Sequence, residues 1–128
     1  MNSLTVRTIT AEVANYYQVN EDEVFTICRK GELIKCKHIA IYFVKQYTNL
    51  SLSGIGNYFP GRSGRFDHAS VLHAINSVKN QYETNRLYRA EIDELVKRLD
   101  NMIEHDRAIN EEVYLENDFY TQLELQTI

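Results

Sequence analysis

The chain has 128 residues, 44% hydrophobic and 25% charged, with a formal net charge of −4, which is length enough for one domain with its own core. One proline, five glycines and two cysteines argue against a turn-rich β fold and against a disulfide scaffold. No apolar run approaches the length of a membrane span, and the opening residues lack the basic-then-apolar pattern of a secretion signal, so a cytoplasmic location is expected.

The charge is unevenly spread. Phe25–Asn80 holds eight Lys/Arg against two acids, a local +6. Gln81–Ile128 holds five against twelve, a local −7. A basic middle and an acidic end imply surfaces with different work, and for phosphate binding the local patch matters more than the total.

The elements are read in chain order. Thr8–Tyr17 places Ile9, Val13, Tyr16 and Tyr17 at helical spacing. Asn20 followed by Glu23 is a capping-box variant and predicts a short helix to about Cys28. Arg29-Lys30-Gly31-Glu32 reads as a basic turn. Lys35–Tyr47 is apolar nearly all round, which places a helix at the centre of the fold. A buried strand competes there on composition, but the length and the lack of internal turn residues favour a helix. Cys28 and Cys36 read as small buried hydrophobes rather than metal or redox groups.

Ser51 predicts a helix cap, with that helix running through Phe59 and stopped by Pro60-Gly61. Ser63-Gly64 extends the turn, and Asp67 caps a long helix. Val71, Ile75, Val78 and Tyr82, with Leu72 alongside, form its core face, while Ala69, His73 and Asn76 are left for solvent or a ligand. A short helix, a Gly-rich turn that carries Arg62 and Arg65, and the long helix with His68 and Ser70 at its start form a helix-turn-helix suited to a DNA groove. Beyond Asn85 an apolar stripe of Tyr88, Ile92, Leu95, Leu99 and Met102 alternates four and three, like a short coiled coil. It is a candidate homodimer or protein-partner surface. The acidic residues from Asn110 to Ile128 are poorly patterned.

Two glycine patterns carry no chemistry. Gly54-Ile55-Gly56 lacks the third glycine and the preceding strand of a dinucleotide fingerprint. Gly56–Ser63 has phosphate-loop spacing but Arg in place of Lys and no preceding strand. The histidines show no metal-ligand spacing, and no nucleophile, base and orienting group come together. No enzyme, catalytic residue, cofactor or metal is expected.

Ser51–Ala74 resembles the signature of the C-terminal DNA-binding domain of the bacterial replication initiator DnaA. Ser51, Leu52, Ile55, Gly56, Phe59, Gly61, Arg62, Asp67, His68, Val71, Leu72, His73 and Ala74 fall into its pattern. Val13–Tyr17, His38–Tyr42 and Thr48-Asn49 also look like that domain, and the resemblance covers roughly Thr5–Tyr82. It implies an all-α, Trp-repressor-like helical domain whose helix-turn-helix binds double-stranded DnaA-box DNA, in a bacterial, nucleoid-associated setting. It implies minor-groove contact by Arg29, with Lys30 in the same basic loop, and phosphate contact by Lys35 and Lys37. It implies base reading by Asp67, His68, Ala69 and Ser70. Either Arg62 or Arg65 fills the family's turn arginine, because Ser63–Phe66 lengthens the turn by about three residues relative to the family pattern. Pro60 replaces a glycine of that turn, and Ala69-Ser70 replaces two threonines. The expected organisation is a DNA-binding domain over residues 1–84 and an acidic helical extension over 85–128. No ATPase motif is recognised. The alternative to DNA binding is a regulatory module whose acidic helix dimerises or masks the DNA-binding face.

Overall fold

Short polar side chains set helix starts: Asn20, Ser51 and Asp67 cap where the sequence predicts, while the first helix starts two residues before Thr8, at a Thr5 cap. The computed structural model describes residues 4–27, 31–61 and 64–105. Thr5 opens α1 (Val6–Tyr16) by accepting the Thr8 amide at 3.1 Å. Asn20 opens α2 (Glu21–Val24) by accepting the Asp22 amide at 2.9 Å. Each cap satisfies one amide that the first helical turn would leave unbonded.

Helix α3 (Gly31–Tyr47) is the central element, packed against α1 and α2 and against two later helices. Cys36, Ile39, Ala40, Ile41, Phe43 and Val44 are buried along it, as an apolar-all-round helix requires. It begins a turn earlier than Lys35. Glu32 lies in that first turn, where a carboxylate suits the positive end of the helix. Cys36 is a buried free thiol, and Cys28 lies outside the described residues.

Helix α4 (Leu52–Gly56) is capped by Ser51, which accepts the Gly54 amide at 3.0 Å. It ends three residues before Phe59, where the sequence predicts a longer helix. The chain leaves the helix axis so that Phe59 is fully buried and stacks on Phe25 with ring centroids 5.4 Å apart. Where the sequence suggests only a turn, a small antiparallel hairpin follows, β1 (Pro60–Gly61) and β2 (Gly64–Arg65). Pro60 pairs with Arg65 and Gly61 with Gly64, and Gly64 takes φ +116°, a conformation glycine adopts readily. Helix α5 (His68–Thr84) then packs on α3 and α4.

Asn85 leaves the helical conformation at φ −128°, ψ 112°, and its side chain accepts the Tyr88 amide at 3.1 Å. A new helix, α6, covers 86–105, up to the last described residue. Arg89 of α6 donates to the Tyr82 and Glu83 carbonyls at 2.9 and 3.1 Å, which satisfies acceptors that the end of α5 would otherwise leave open.

The stripe on α6 turns inward. Tyr88, Ile92, Leu95 and Leu99 are 4%, 2%, 0% and 0% exposed and belong to the same buried cluster as Ile9, Ile39 and Phe43. Met102 is half-buried against that cluster. This corrects the expected partner surface: the stripe's partner is the rest of this chain. The boundary expected after residue 84 separates two sequence patterns but not two cores. Polar contacts follow the same seam. Tyr47 donates to Asp100 at 2.8 Å, Tyr82 to Asp93 at 2.8 Å, and Arg98 pairs with Glu12 at 3.5 Å.

Candidate nucleic-acid interface

The helix-turn-helix is built from α4, the hairpin and α5. The two helices approach closely because Gly56 has no side chain. A Cβ there would collide with the Phe66 carbonyl oxygen, just ahead of the α5 cap. Phe66 is held in turn by its amide, which donates to the Phe59 carbonyl at 2.8 Å, and by its ring, which lies over Gly61. The start of α5 is therefore fixed by backbone as well as side-chain contacts.

Asp67 caps α5 by accepting the Ser70 amide at 2.7 Å. That backbone bond, reinforced by the Ser70 side chain, holds its carboxyl below the usual carboxylate range. His68 and Ala69 beside it are exposed and Ser70 is half-buried. The exposed face continues through Leu72, His73 and Asn76, opposite the buried Val71, Ala74, Ile75 and Val78. Leu72 departs from expectation. It is 43% exposed, and Ala74 takes the core position instead. One residue is a rotation of about 100° on a helix, which carries Leu72 off the Val71 face. The exposed surface of α5 thus combines amide and imidazole donors, a hydroxyl, a methyl and an apolar side chain, a set able to read base edges.

Arg65 is exposed on the second strand of the hairpin, and its Nη1 donates to Asn57 Oδ1 at 2.5 Å. Asn57 follows α4 directly, and no sequence pattern marks it as a support for Arg65. The bond tethers a guanidinium on the strand that leads into the α5 cap, and its charge and the positive end of α5 both favour phosphate.

Two of the three lysines of α3, Lys35 and Lys37, are otherwise engaged. Lys35 Nζ pairs with Glu91 of α6 at 3.0 Å and lies over the rings of Tyr17 and Tyr88, at 4.8 and 5.5 Å from their centroids. Tyr17 donates to the same carboxylate oxygen at 3.0 Å; burial first, and then this bond, push its phenol well above the ordinary range. Lys37 is 2% exposed, with its ammonium bonded to the Thr26 and Pro60 carbonyls at 2.6 and 3.1 Å. A group so enclosed offers little surface for the phosphate contact that the resemblance implies. Arg29, Lys30 and Arg62 lie outside the described residues.

His38 of α3 meets His73 edge to face, with ring centroids 6.0 Å apart. Burial lowers the His38 pKa, and the neighbouring His73 and Lys37 lower it further. The folded state therefore favours neutral His38. Its contribution to stability is complete above the ordinary histidine value near ~6.5 and drains as pH falls below it. Thermal melts from pH 7.5 down to 5 should show this loss, and His38→Gln should flatten the slope.

Among the described residues no group of three or more His, Cys, Asp or Glu side chains could hold a metal ion, and no helix is long and apolar enough to cross a membrane. Two closely crossed helices, a cationic hairpin and an exposed helix start define a DNA-binding helix-turn-helix domain.

Comparison with known proteins narrows the class. The family model for the bacterial dnaA protein helix-turn-helix matches residues 6–78, and the chain belongs to that family. It is 34% identical over 93 residues to the chromosomal replication initiator protein DnaA of Bacteroides thetaiotaomicron, an overlap of 73% of this chain and 19% of that protein. It is 35% identical over 95 residues to the DnaA of Wolbachia pipientis wMel, covering 74% of this chain and 20% of that protein. The chain thus spans about a fifth of the curated relatives it matches. A crystal structure of a DNA replication initiation factor superimposes with a TM-score of 0.65 at 28% identity, covering 77% of this chain and 29% of that one.

Proposed function

We propose that this chain binds double-stranded DNA with a preference for DnaA-box-like sites, placing the start of α5 in the major groove and needing no nucleotide to do so. The carrying observation is the α5 tip itself. It is capped by Asp67, His68, Ala69 and Ser70 form its first turn with His68 and Ala69 exposed, and the tethered Arg65 precedes the cap by two residues. The +6 charge of Phe25–Asn80 supplies the attraction that a net charge of −4 conceals. In this proposal Arg65 contacts phosphate, together with Arg29, Lys30 and Arg62. His68, Ala69 and Ser70 face bases, and Asp67 orders the tip.

The test is a titration of the whole chain against box-containing and scrambled duplexes over a range of salt. Affinity should fall as salt rises, by about 0.9 in the logarithmic slope for each phosphate neutralised. Arg65→Ala should weaken both duplexes and remove about one such contact from the slope. Ser70→Ala should instead change the preference, by about 1–3 kcal/mol at one base pair. Salt-independent binding, or none, would refute the proposal. The acidic charge beyond Gln81 favours a second role, masking of the basic face. In that case deleting residues 107–128 raises affinity for both duplexes; unchanged affinity excludes masking.

A further inference from the structure

Lys37 is a buried cation that the DNA contacts do not use. Burying an ammonium is costly unless its protons find acceptors, and a neutral side chain of similar length would avoid that cost. Here the acceptors are informative. One is the Thr26 carbonyl, in the segment joining α2 to α3, at 2.6 Å. The other is the Pro60 carbonyl, in the first strand of the hairpin, at 3.1 Å. The ammonium also lies 5.0 Å from the centroid of the Phe66 ring, one residue before the α5 cap. A single charge therefore ties three separate pieces of chain to α3. The hairpin strand it holds is paired with the strand carrying Arg65, and Phe66 adjoins Asp67.

We infer that Lys37 is a positioning residue for duplex recognition: it fixes the hairpin and the α5 tip against α3 so that the base-facing residues meet DNA in one register. It acts through Pro60 and Phe66 and touches no phosphate itself. This inference rests on the DNA-binding proposal, and the two make separable predictions. A direct phosphate contact contributes to the salt dependence of binding, whereas a brace does not. A brace contributes mainly to discrimination, because orientation matters most where side chains must match base edges.

The test compares Lys37→Met with the wild-type chain, each tested for helix content and then titrated with box-containing and scrambled duplexes well below its melting temperature. The expected result is a folded variant with about tenfold weaker binding to the preferred duplex, little change on the scrambled one, and an unchanged salt slope. A slope smaller by about 0.9, with both duplexes weakened alike, makes Lys37 a phosphate contact and overturns the inference. Wild-type affinity and preference also overturn it, since the brace then serves stability alone. If Lys37→Met does not fold, the wild-type ammonium is followed by nitrogen-15 NMR. A signal protected from exchange, and uncoupled to phosphorus when DNA is added, supports the inference; coupling to a phosphate overturns it. If the wild-type chain binds neither duplex, the DNA-binding proposal has failed. The brace is then judged on whether the folded variant shifts the amides of Arg65–Ser70 while leaving α1 and α6 in place; absence of that pattern overturns it.

Discussion

Truncation after Asn85 is expected to unfold the protein rather than release a free DNA-binding domain. Helix α6 supplies Tyr88, Ile92, Leu95 and Leu99 to the common core, all 4% exposed or less. Burial of a large apolar side chain stabilises by about 1.5–3 kcal/mol, and four such losses rival the about 5–15 kcal/mol by which a typical domain is stable. Leu95→Ala isolates the effect with the chain intact. Leu95 is fully buried, so about 2–5 kcal/mol should be lost, read as an earlier urea midpoint with little change in slope. Glu91 adds a polar tie to Tyr17 and Lys35, but the partly buried ion pair is worth less than the packing around it. A truncated chain that melts like the full one would mean that α6 is dispensable.

Gly56→Ala should be the most damaging single-methyl change in the helix-turn-helix. The added carbon would strike the Phe66 carbonyl, a backbone atom that cannot rotate away. Relief requires moving the strand end that leads into Asp67, and with it the start of α5. A loss of about 1–3 kcal/mol is expected from overpacking of this kind, together with weaker DNA binding in the fraction that remains folded. Gly31→Ala is the control, because nothing lies within 4 Å of a Cβ at that position. Its helical setting should make the change neutral to stabilising. Equal melting temperatures for the two variants would show that the close crossing is not tight.

The helices were legible because their signals are local. Ser51 and Asp67 mark helix starts through side chains that reach an amide three residues on, and Val71, Ile75 and Val78 keep one face. The helix-turn-helix resemblance is equally direct, since Gly56, Asp67, Val71 and Ala74 occupy positions that the fold itself constrains. What stayed hidden depends on contacts distant in sequence. Periodicity showed that Tyr88–Leu99 has an apolar face, but a stripe does not name its partner. Lys37 carries the residue type of a phosphate contact, and only the placement of the Thr26 and Pro60 carbonyls reveals that it is enclosed. The hairpin has no sequence signal because two-residue strands rich in glycine leave almost no alternation to detect. The same compactness conceals Asn57 as the support for Arg65.

One measurement addresses the central claim most directly: amide chemical-shift mapping of the whole chain as a box-containing duplex is added at moderate salt. The account predicts perturbations concentrated on Arg65–Ser70 and continuing along Leu72, His73 and Asn76, with the α1 and α6 surfaces nearly silent. Saturating binding whose perturbations fall on α1 or α6, and spare the α5 tip, would contradict it.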